Sequence, residues 1–65
     1  MSFESFCEKV TAVFGTSGDM GNVRFRREDG KHIARFSNGV RVVGNSISRS
    51  VMVFWGSGHA ARATL

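Results

Sequence analysis

Val23-Arg24-Phe25-Arg26-Arg27-Glu28-Asp29-Gly30-Lys31-His32-Ile33-Ala34-Arg35-Phe36 is the stretch that decides the fold. From Val23 the side chains alternate with a period of two, the repeat of a half-buried strand. Asp29-Gly30 stands at its centre, and this dipeptide favours the type I′ turn of a two-residue hairpin. Closing the chain there pairs Glu28 with Lys31, Arg27 with His32, Arg26 with Ile33, Phe25 with Ala34, Arg24 with Arg35 and Val23 with Phe36. One face then collects Val23, Phe25, Ala34 and Phe36, so turn chemistry and hydrophobic pattern agree on a single register.

Downstream, Ser37-Asn38-Gly39 admits two loop lengths, and the faces decide between them. A two-residue Asn38-Gly39 loop would set Phe36 against Arg41. A three-residue loop with Gly39 left-handed at a bulge sets Phe36 against Val40 and Ala34 against Val42, extending the apolar face, and it is the form we expect. Gly44 to Ser50 has turn composition. Val51 to Trp55 reads as a fourth strand, apolar on both faces and therefore interior to the sheet or covered by a partner. Gly56-Ser57-Gly58 permits a tight return into His59 to Leu65. The alanines there favour a helix, but the spacing of His59, Ala61, Ala63 and Leu65 suits a short strand, which we take.

Upstream, Phe3, Phe6, Cys7, Val10, Val13 and Phe14 fall on one helical stripe, with Glu4, Glu8, Lys9 and Thr11 at other positions. The spacing predicts an amphipathic helix over 3–14. Ser2 is its N-cap, Glu4 and Glu8 suit the positive end of the helix dipole, and Gly15 is expected to end it in a left-handed conformation. Thr16 to Asn22 is a glycine-rich connection. The expected fold is α+β: one N-terminal amphipathic helix packed on a three- to five-stranded antiparallel meander, in a single domain spanning 1–65.

A chain of 65 residues leaves no room for a second domain. At this length only about 60% of the unfolded surface is hidden, which disfavours a deep substrate cleft. One cysteine, Cys7, excludes an intramolecular disulfide, so stability must come from packing or self-association. The first residues carry Glu4 and Glu8 where a signal peptide carries bases, and the longest apolar run, Val51 to Trp55, is far short of the roughly 20 residues that span a bilayer. A reducing, cytoplasmic setting is expected, with no membrane partner.

Nine Lys and Arg against five Asp and Glu give a net charge of +4. Such an excess favours acidic partners without naming one. The two registers say where it goes: Arg24, Arg35 and Arg41 stand side by side in one cross-strand row, with Arg26 two positions along, on the face away from the helix. Like charges opposite one another are normally avoided in sheets. A solvated face can accommodate them, because repulsion at water-like dielectric is only about 1 kcal/mol per pair. The functional alternative is an anion platform, since guanidinium forks bind phosphate bidentately and stack on planar groups. Nucleic-acid binding by a sheet also calls for exposed rings, and only Phe54 or Trp55 can supply them here.

Other chemistry is poorly provided for. Cys7, His32 and His59 are scattered over three elements and do not make the four-ligand set of a zinc site. Cys7 falls on the apolar stripe as a buried, inert thiol, and His32, opposite Arg27, is expected at the rim of the core face. Gly56-Ser57-Gly58-His59 and Thr16 to Gly21 lack the Walker and dinucleotide fingerprints, and turn chemistry explains them better. No nucleophile elbow or paired-carboxylate arrangement can be assembled, so neither an enzyme, a cofactor nor a small-molecule substrate is expected.

These residues carry no family resemblance. The expectation is a small non-catalytic protein whose arginine-rich sheet face, through Arg24, Arg26, Arg35 and Arg41, engages a polyanion without base-specific readout. Nucleic acid, or a complex containing it, is the first choice, with Phe54 and Trp55 available for stacking or as an interface. The alternative is an inhibitor or adaptor of the phage or mobile-element type that docks on another protein, such as an acidic protein surface, using the apolar strand four for homodimerisation or strand addition.

Overall fold

A computed structural model describes residues 1–15 and 21–65. It contains helix α1 (Phe3–Phe14) and strands β1 (Val23–Glu28), β2 (Lys31–Phe36), β3 (Arg41–Asn45), β4 (Ser50–Phe54) and β5 (Ala60–Thr64). The strands form one five-stranded antiparallel meander in the order β1-β2-β3-β4-β5. Most of the connection after the helix, Thr16 to Met20, lies outside the described residues.

Both hairpin registers follow from the turns. Asp29 and Gly30 have φ of 51° and 75°, as a type I′ turn demands, and Val23 to Glu28 pairs with Phe36 to Lys31 residue for residue as expected. The second loop is the three-residue form: Phe36 N–H donates to Val40 O at 2.9 Å, Gly39 N–H donates to Phe36 O at 3.0 Å, and Gly39 has φ 98°. The return after β4 repeats this design, with Trp55 N–H donating to His59 O at 2.9 Å and Gly58 N–H to Trp55 O at 3.0 Å.

Alternation puts Ala34, Val42, Val51 and Val53 on the face that meets the helix, where all four are buried with Phe6 and Val10 of α1. The helix begins as the sequence predicts, Ser2 Oγ accepting Ser5 N–H at 3.2 Å. Its other end differs in two ways. Gly15 is right-handed, with φ −77°, and its N–H donates to Thr11 O, so the chain leaves α1 by continuing its turn. Val13, assigned to the apolar stripe, is 59% exposed, while Phe14 remains packed on Phe36 with ring centroids 6.1 Å apart.

Two residues belong deeper in the fold than their type suggests. Gly44 is a buried member of β3, paired with His32, and not part of the following turn. A Cβ there would stand 3.0 Å from Val51 Cγ1 and 3.1 Å from the Phe6 ring, so the missing side chain is the space Phe6 occupies. His32, expected at the rim, is only 4% exposed. Phe3 and Phe6 lie against its ring at centroid distances of 5.5 and 5.4 Å, and its Nε2 donates to Met1 O at 3.0 Å. The first turn of the helix therefore closes over the imidazole. The actual turn, 46–49, is organised by Asn45, whose side-chain oxygen accepts the N–H groups of Ile47 and Ser48.

Candidate nucleic-acid interface

The face turned away from α1 is ordered by the same registers. Arg24 pairs with Arg35, Arg35 with Arg41 and Arg41 with Phe54, so three arginines on three adjacent strands lead to an aromatic ring on the fourth. Two residues along each strand a second row runs parallel: Arg26, Ile33, Val43, Met52 and Arg62. The arginines of both rows are exposed, whereas Ile33, Val43, Met52 and Phe54 are half-buried. All four arginines singled out from sequence thus share one face.

Spacing within the first row follows from the ladder. The Phe36–Val40 bond fixes the hydrogen-bonded positions of β2 and β3, which leaves Arg35 and Arg41 as a non-hydrogen-bonded pair. Their Cα atoms are then about 4.5 Å apart, the closer of the two antiparallel spacings. Among the described residues the ion pair on this face is Arg26 to Glu28 at 3.1 Å, and Arg24, Arg35 and Arg41 have no carboxylate within 4.0 Å. The acids of the helix, Glu4 and Glu8, belong to the opposite layer. Among the described residues, three adjacent guanidinium groups therefore project their charge to solvent with no carboxylate paired to them.

Aromatic groups close one end of the row. The Arg41 guanidinium carbon lies over the Phe54 ring, 5.0 Å from its centroid, a cation–π contact. Trp55, just past the end of β4, is 43% exposed and borders a shallow hollow together with Arg35, Arg41 and Phe54. At the other end Arg24 and Arg35 flank a hollow beside Asn22 and Ser37, where Ser37 Oγ accepts Asn22 N–H at 3.0 Å. A larger hollow of ≈ 500 Å³ lies farther along the same face, with Val43, Met52 and Phe54 beside Lys31 and Arg62.

Lys31 and Arg62 were not singled out from sequence. Placing Arg62 beside Met52 requires the register of β5 on β4, which follows from the Gly56–Gly58 turn once its three-residue form is recognised. Strand four lies inside the sheet, β3 on one side and β5 on the other. Strand addition through it, one of the routes considered from sequence, has no free edge to use.

Among the described residues no three His, Cys, Asp or Glu side chains gather in one place, and no helix is long and apolar enough to cross a membrane. Cys7 sits half-buried on α1, where burial pushes its thiol pKa up, helped by the nearby carboxylates of Glu4 and Glu8 and opposed by a backbone hydrogen bond. Comparison with known protein families, curated proteins and solved structures finds no match.

Proposed function

We propose that this protein is a small non-catalytic binding protein of the cytoplasm whose arginine face engages a polyanion, nucleic acid or a complex containing it, without base-specific readout. The observation that carries the proposal is the row Arg24, Arg35, Arg41, three cations on adjacent strands with no carboxylate partner among the described residues. Crowding like charges works against the fold, and a row of phosphates relieves that repulsion while accepting bidentate hydrogen bonds. Arg26 extends the charge along the strands, and Phe54 and Trp55 add stacking area at the end of the row. Binding dominated by phosphate contacts weakens steeply with salt.

The test is an oligonucleotide shift assay at two salt concentrations with the wild-type chain and Arg35→Glu. The expected result is a complex at low salt that is lost at high salt and absent for the variant, because Arg35 is the cross-strand partner of both Arg24 and Arg41. No complex at low salt, or one that Arg35→Glu leaves intact, rejects the proposal.

A second reading, docking on a protein as an inhibitor or adaptor or through a homodimer, is favoured by the exposed Trp55 beside half-buried Phe54. It requires a salt-tolerant complex that Trp55→Ala disrupts, since aromatic anchors dominate such interfaces.

A further inference from the structure

The geometry points to a single strand, and not a duplex, as the nucleic acid this face takes, an inference that rests on the polyanion reading above. The first row places Arg24, Arg35 and Arg41 side by side before Phe54, and the next is apolar at its centre, Ile33, Val43 and Met52, between Arg26 and Arg62 at its ends. Residues two apart on a strand are separated by about 6.8 Å. One nucleotide can therefore put its phosphate on the first row and its base on the second.

The larger hollow lies where such bases would arrive. Val43, Met52 and Phe54 give it an apolar floor, Lys31 and Arg62 contribute cations, and Asn45, Ser48 and Ser50 add polar groups at its border. Unpaired bases have free π-faces that pack on rings and apolar side chains whatever their sequence. A duplex keeps those faces stacked inside and offers base edges only to an element narrow enough to enter a groove about 12 Å wide. A five-stranded sheet face in a molecule of 28 × 22 × 20 Å does not enter one. Laid on this face, a duplex would press its phosphates onto Ile33, Val43 and Met52, stripping water from charges without replacing it.

The experiment uses the intact chain and fluorescence anisotropy at low salt, with three labelled probes about ten nucleotides long, a length typical of sheet-bound single strands: oligothymidine, a duplex, and an abasic deoxyribose-phosphate oligomer. The expected result is that oligothymidine binds about tenfold more tightly than either of the others, the contribution of one or two stacked bases. Equal affinity for oligothymidine and the duplex, or for oligothymidine and the abasic oligomer, overturns the single-strand inference and leaves the polyanion reading standing. No binding of any probe overturns both.

Met52→Lys, checked for native circular dichroism, gives an independent reading because it adds a positive charge where a base contact is expected. Oligothymidine should then lose about tenfold in affinity while the abasic oligomer binds at least as well as before. A gain for both probes overturns the inference.

Discussion

Gly44 and Arg35 make opposite demands on the fold. Gly44 is required by space: with Phe6 fully buried and Val51 1% exposed, neither neighbour can retreat from an added side chain. Gly44→Val should therefore lower stability by about 1–3 kcal/mol, the usual cost of overpacking a core, seen as a lower urea midpoint at unchanged m-value. Arg35 is held against the interest of stability. It stands between Arg24 and Arg41, and at such spacing each pair repels by about 1 kcal/mol in water. Arg35→Gln should raise the thermal midpoint at low ionic strength, and added salt should erase the gain through screening. A variant less stable than wild type at low salt would show that the row is not under electrostatic strain.

The helix and the strands were legible from local chemistry, and what escaped were positions closed by distant contacts. The β1–β2 and β2–β3 registers could be read because Asp29-Gly30 and Gly39 fix turns whose alternation independently agrees, and the arginine row came with them. Helix α1 was legible through its stripe and its cap. Ser2→Ala should cost about 1 kcal/mol, typical of a lost N-cap, measurable by urea denaturation. Gly44 and His32 escaped notice for a shared reason. A glycine followed by asparagine and serines has turn composition, and a histidine on a core face looks like a rim residue, until the helix's first turn, arriving from thirty or so positions away, covers both with Phe3 and Phe6. The hollow beside Lys31 and Arg62 was hidden by the irregular 46–49 turn, whose Asn45-centred bonds set the β3–β4 register without a glycine signature.

At the scale of the whole molecule, a modest net charge of +4 conceals a separation of charge. On the helix layer Glu4 and Glu8 are offset by Lys9 of α1 and by Arg27, which lies over the Phe3 ring, while Arg24, Arg26, Arg35, Arg41 and Arg62 gather on the other face of the sheet. The potential over that face exceeds what the net figure implies, which favours steering of a polyanion to it. The most direct test of this account is an amide chemical-shift titration of the labelled chain with a short oligonucleotide at low salt. The account predicts shifts centred on Arg24, Arg35, Arg41 and Phe54, fading as salt is added, with α1 undisturbed. Shifts concentrated on α1, or none at all, would contradict it.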